Sequence, residues 1–473
     1  MPKRKSCYNR FFLCFSLQDN ISKLIYARSK ETDKSLNILN GVRVLSMWWI
    51  ILSHTFYYFL RGPLMNPNAI SEFLESFPFS FVNSGQYSVD IFFWMTGFLS
   101  VYIMLVAMTK RNGKMQNALL IYLHRFLRLI PMYSITLLFY WFIIPKVGDG
   151  PIFYLLEERA KDCNKYWWSH LLFINNLYPW YGEVCMGWTW YLGNDFQFFL
   201  LIPLFVWTYY HNRKVCIAIM CFIQLSWYWA TFVLAYLNDL NVNYKKVNVD
   251  FNTYYYWRPW GRIGPFMIGA IWGCFLYSFK FEVDYNSQTK RMMDKINSSL
   301  NTRIIMYIFG ALFFWTFIFV TYPINKHPEK FSLFFNALYI TFSRSIFIVG
   351  VALVLMPVLM GHGYYLRRLL SLDIFVPLAR LTFGAYMVHP TFMLFEAFNA
   401  ARGQWAAINK GILYFLGWTF TAFLTSLVLT LLVETPCMTV EKEFLMGGKK
   451  PKNFKPRKRS HSIGRPRVTI SLY

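Results

Sequence analysis

Apolar residues arrive in blocks of about 20 along most of the chain, divided by short polar stretches. A block of that length is what an α-helix needs to cross a hydrocarbon core. The pattern predicts spans at roughly 42–60, 89–109, 118–144, 190–210, 215–237, 260–280, 303–322, 335–360, 375–398 and 411–433. The expected fold is therefore all-α: a polytopic integral membrane bundle of about ten transmembrane helices. A segment over residues 1–40 precedes the bundle, the transmembrane domain occupies 41–435, and 436–473 form a basic tail. Pro436 is expected to end the last helix.

Composition narrows the reading. Of 473 residues, 56% are hydrophobic and only 15% charged, too little polar surface for a soluble protein of this size. The net charge of +25 would by itself suggest nucleic acid, but in a membrane chain basic residues gather on the cytosolic side. On the ten-span scheme, more than twice as many Lys and Arg fall inside as outside when the N-terminus is cytosolic. Both termini are thus expected in the cytosol, in the plasma membrane or endoplasmic reticulum. No nucleic-acid partner is expected; the run from Lys449 to Arg459 suits anionic lipid instead. The N-terminal run FFLCF is too short for a signal peptide, so the first span is expected to act as its own insertion signal. Sequons at Asn20 and Asn297 fall in segments read as cytosolic and should carry no glycan.

The largest outside loop, about 146–189, holds Cys163 and Cys185. In an oxidising compartment these two are expected to pair, and closing a loop of about 22 residues stabilises by roughly 3 kcal/mol. The other six cysteines are expected to be free thiols. None has metal-ligand spacing, so no metal site is expected.

Charge inside a span costs at least about 2.5 kcal/mol and commonly marks function. In the first span, GVRVLSMWWIILSH, Arg43 and His54 are eleven steps apart, close to three full turns. They share a face, about 16 Å apart along the axis, with Arg43 at the cytosolic headgroup level and His54 deep. Histidine takes and returns a proton near neutral pH, and arginine offers a planar fork for phosphate. The competing reading is a snorkelling arginine and a histidine satisfied by a neighbouring helix. Asp90 opens the second span, where it acts either functionally or as a helix cap. Arg125 and Arg128 lie one turn apart in YLHRFLRLIPMY, as orientation charges or as phosphate ligands. WTWYLGNDFQFF brings Asp195 and Gln197 to the start of the fourth span; LARLTFGAYMVHP places Tyr386 and His389 one turn apart before Pro390. His389 can alternatively bond a carbonyl freed by that proline. Glu434, before Pro436, reads as a structural partner for basic neighbours as readily as a functional group.

Arg43 with His54, VDIFFWMTGFLS, YLHRFLRLIP and LARLTFGAYMVHP together resemble the acyltransferase-3 family of membrane O-acyltransferases. The animal branch, the nose-resistant-to-fluoxetine-like proteins, is closer still. It is similar in the GP of VGDGPIFY, in DCNKYWWSHLLFINN, in the cysteine before WTWYLGNDFQ, in WRPWGRIGPFMIGAIWG and in ETPCMTVEKEF. The resemblance runs from about Ser16 to Phe444. Animal members also carry a secreted, cysteine-rich domain and another helix ahead of this core, and the chain starts just past them.

The resemblance implies ten core helices and an active site opened by Arg43 and His54. It also implies acyl transfer from cytosolic acyl-CoA, as a donor substrate with no bound cofactor, to a hydroxyl of a lipid or carbohydrate-like acceptor. Arg125, Arg128, Asp90, Asp195, Gln197, Arg262, Tyr386 and His389 are then the expected donor- or acceptor-binding residues. The rival function is a lipid or xenobiotic carrier using the same cavity, since buried charge marks transport paths too.

Overall fold

The computed structural model describes residues 11–25, 34–180, 185–243, 251–281 and 287–445. Apart from one isolated bridge between Leu64 and Gln404, the described residues contain no β pairing. The principal helices are α1 (Ile38–Phe59), α2 (Gln86–Lys110), α3 (Ala118–Leu138), α4 (Tyr154–Leu171), α5 (Trp190–Phe199) and α6 (Ile202–His211). They are followed by α7 (Arg213–Leu237), α8 (Ile263–Phe281), α9 (Leu300–Phe319), α10 (Leu333–Leu359), α11 (Phe375–Asn399) and α12 (Ile408–Leu429). The all-helical bundle is the one the hydrophobic blocks predict.

Eight of the described helices are long and apolar enough to cross a membrane, beginning with that of α1 and ending with the one running from Ile408 to Phe444. A ninth is reached by joining α11 to the short helix Tyr364–Leu370, which meets it at a bend of 58°. The expected span at 190–210 is broken instead. It folds as α5 and α6, ten residues each, separated at Leu200 and Leu201. Pro203, in the first turn of α6, cannot donate to the preceding turn, which explains a break at that place.

Pro436 does not end the last helix. After α12 the backbone passes through a π-helical turn, Thr430–Glu434, and continues as Thr435–Val440 and Glu441–Leu445. The wider turn places Pro436 at the start of a fresh helical segment, where its missing N–H is tolerated. The residues up to Leu445 therefore belong to the folded bundle, and the Lys449–Arg459 run lies outside the described residues.

Packing between α2 and α8 depends on small residues. A Cβ on Gly97 would lie 2.2 Å from the Phe266 carbonyl oxygen; one on Gly269 would lie 2.1 Å from that of Trp94. Gly273, four residues after Gly269, meets the Phe98 carbonyl in the same way at 2.6 Å. This is a small-xxx-small contact, which lets backbones approach closely where lipid offers no hydrophobic drive for association.

The two ends of the described chain meet. In the amphipathic helix Leu17–Ile25, the buried Asn20 amide donates to the carbonyls of Cys14 and Leu431, and Lys23 reaches Thr439. Phe11 packs against Phe444 at 6.3 Å between ring centres. On the loop side of the bundle, Cys163 of α4 is bonded to Cys185, as expected. Cys14, Cys216, Cys221, Cys274 and Cys437 are free, and Cys7 lies outside the described residues.

Candidate active site

α1 carries both Arg43 and His54. Both side chains are partly accessible. Arg128 of α3 is exposed. Nδ1 of His54 is 2.9 Å from Nε2 of His389, and the two rings lie edge to edge and nearly coplanar, with centres 5.1 Å apart and 13° between planes. His389 is buried, and its Nδ1 lies 2.9 Å from the Ala385 carbonyl oxygen. Tyr386 packs beside it at 5.9 Å and donates to the Trp188 carbonyl. Tyr58 meets the edge of His54 at 5.8 Å.

At the Arg43 end of α1 the charges gather. Arg43 has Arg128 and Tyr191 as its electrostatic neighbours and forms no ion pair among the described residues. Arg125 pairs with Asp195 and lies over the Phe199 ring at 4.2 Å. Arg125 Nε and Asp195 Oδ1 remain buried without protein partners. Glu434 has Arg128 and Arg380 as its charged neighbours and accepts from Thr430 at 3.2 Å. Beyond it, His124 meets Glu441 at 2.6 Å. Tyr191 joins the two ends: Arg43, Arg125 and Asp195 surround it, and its ring lies 5.4 Å from that of Tyr386. Sequence reasoning passed over Tyr191, although it lies one turn before Asp195 on the same face of α5.

Three expected site residues are held elsewhere. Asp90, fully buried on α2, is bridged by Arg262 at 3.1 Å and Arg344 at 2.7 Å, one guanidinium to each carboxylate oxygen. Arg344 also donates to the Tyr255 hydroxyl and to Gln86, each at 2.8 Å. Arg262 donates to the Tyr256 carbonyl and stacks on Tyr256 and Trp190. Asp90 is thus a counter-ion between helices and not a helix cap. Arg344, in the middle of α10, was missed, yet an arginine within a span is the signal that should have flagged it. Gln197 exchanges hydrogen bonds with Asn176 and donates to the Phe173 carbonyl at 2.9 Å, clasping the loop after α4 to α5. Arg258, also missed, is buried and donates to the carbonyls of Thr253, Asn176 and Trp180. No group of three or more metal-ligating side chains occurs among the described residues.

The fold defines a polytopic helical membrane protein, with a histidine and an arginine that forms no ion pair among the described residues on one helix, α1. Residues 36–432 match the acyltransferase-3 Acyltransferase domain, so the chain belongs to that family. Among curated relatives it is 28% identical to nose resistant to fluoxetine protein 6 of Caenorhabditis elegans, over 95% of this chain and 56% of that protein. It thus spans little more than half that relative's length. It is 24% identical to regulator of hypoxia-inducible factor 1 of the same organism, over 90% of this chain and 83% of the relative. No solved structure matches.

Proposed function

We propose that the protein is a membrane O-acyltransferase that moves an acyl group from acyl-CoA to a hydroxyl of a lipid or carbohydrate-like acceptor. The observation that carries the reading lies on α1: a histidine eleven residues along the helix from an arginine that forms no ion pair among the described residues. An uncompensated guanidinium in the membrane calls for an anion, and the planar fork suits phosphate. Arg43 and Arg128 would take the CoA phosphates, and Arg125 would add to their field. The acyl thioester then reaches about 16 Å along the axis toward His54.

There Nε2 of His54 takes the proton of the acceptor hydroxyl as its oxygen attacks the thioester carbonyl carbon. The carbon–sulfur bond breaks, and the departing CoA thiolate receives that proton from His54. The products are the ester and CoA thiol, with no covalent enzyme intermediate. Tyr386 and His389 line the acceptor side. Asp90 and Arg262 serve by fixing α2 against α8 and α10, and Gln197 by fixing the loop.

The contact between the two chain ends supports an even number of crossings, with both ends on one side. The basic character of the terminal segments supports the cytosol as that side, facing the CoA pool. Anionic lipid headgroups would be the partner of the basic tail.

The test is transfer from radiolabelled acetyl-CoA and palmitoyl-CoA by purified protein in lipid, beside His54→Ala. Label in an extractable product, absent with the variant, is the expected result. Folded protein that binds hydrophobic ligand and turns over no donor would contradict it, and would favour a carrier.

A further inference from the structure

The two ring nitrogens of His389 have different partners, and together they fix where the protons lie. Nδ1 is 2.9 Å from the Ala385 carbonyl oxygen. A carbonyl oxygen only accepts, so the His389 proton is on Nδ1. Pro390, next in the chain, cannot donate within α11, which is one helical hydrogen bond short at this turn. A neutral imidazole has one N–H, leaving a lone pair on His389 Nε2. That lone pair lies 2.9 Å from His54 Nδ1, which must therefore be the donor. His389 is buried, and no ion pair to either ring occurs among the described residues, so neither imidazole has a counter-ion to hold a second proton. His54 then carries its proton on Nδ1 and its lone pair on Nε2, the form less populated by a histidine in water.

We propose that His389 is the positioning residue of the acyl-transfer base, a neutral counterpart to the carboxylate that orients a catalytic histidine in hydrolase triads. This rests on the acyl-transfer reading above. The Ala385 carbonyl orients His389, and His389 selects the tautomer of His54 whose Nε2 can accept the hydroxyl proton. When Nε2 takes that proton, the Nδ1–H to Nε2 bond becomes charge-assisted and stabilises the imidazolium. The nearly coplanar rings, 13° between planes, turn Nε2 of His54 away from His389, toward the acceptor. A structural histidine pair would hold the helices together equally well in either tautomer; this arrangement needs one.

The experiment is 15N NMR of histidine-labelled protein in lipid, with the His54 signals assigned by their loss in His54→Gln, alongside acyl-transfer rates. Wild-type His54 is expected in the Nδ1–H form. In His389→Ala it should revert to Nε2–H, and kcat should fall by about 10²-fold with KM for acyl-CoA unchanged. His389→Gln, whose amide oxygen can accept from Nδ1–H, should restore the tautomer and bring kcat to within about tenfold of wild type. Active wild-type protein with His54 as Nε2–H overturns the role of His389 alone. A folded His389→Ala variant with unchanged tautomer and rate does the same. Wild-type protein in the Nδ1–H form that transfers no acyl group overturns the acyl-transfer reading itself.

Discussion

Two clusters of charge lie within this bundle, and they differ in how completely the protein satisfies them. Around Asp90, each carboxylate oxygen meets its own arginine, and Arg344 is further held by Tyr255 and Gln86. Around α1, Arg43 forms no ion pair among the described residues, Arg128 is exposed, and His54 has one ring nitrogen committed. Both clusters would be flagged by the rule that intramembrane charge marks function. Pairing separates them: both carboxylate oxygens of Asp90 are taken up in ion pairs that join α2, α8 and α10, whereas Arg43 has valence left for a ligand. Removing Asp90 strands two buried guanidinium groups, whereas removing Arg43 takes away a charge that only the ligand notices.

That contrast can be broken in several places. Asp90→Ala leaves two buried guanidinium groups without their carboxylate and should cost about 3–5 kcal/mol, read as a large fall in thermal stability or loss of folded protein. Replacing Asp90, Arg262 and Arg344 together by apolar residues of similar size should recover most of that loss, because no uncompensated charge remains. Cys163→Ser opens the loop bridge to Cys185 and should lower stability by about 3 kcal/mol in non-reducing conditions, with no effect once wild type is reduced. Arg128→Ala should raise KM for acyl-CoA by about 10- to 100-fold, the worth of a charged contact of roughly 1.5–3 kcal/mol, while the melting temperature stays put. Gln197→Ala should cost about 1–3 kcal/mol, since it removes the hydrogen bonds of the buried Asn176 amide and Phe173 carbonyl.

Much of the architecture was legible because span length is dictated by the bilayer and not by tertiary contacts. The Cys163–Cys185 bond was legible because the pattern of spans places both cysteines in one long loop, where two cysteines have few alternatives. The shared face of Arg43 and His54 followed from helical periodicity alone. What escaped depends on which helices become neighbours. Asp90 and Arg344 are 254 residues apart, and His54 and His389 are 335 apart, so no local pattern could pair them. The break between α5 and α6 was visible as Pro203 but was outweighed by a continuous apolar run. At the other end, Pro436 was taken as a stop, whereas a π-helical turn just before it lets the helix continue. Proline shows where a helix loses a hydrogen bond; the packing around it determines whether the helix stops.

The most direct test sets the two clusters side by side: thermal unfolding and acyl-CoA turnover for His54→Ala and Asp90→Asn, in the same lipid and from the same preparation. The account predicts that His54→Ala unfolds at the wild-type temperature and loses about 10²–10⁴-fold in turnover. It predicts that Asp90→Asn unfolds markedly earlier and retains transfer in whatever fraction stays folded. A stable Asp90→Asn protein without activity, or His54→Ala turning over at the wild-type rate, would contradict it.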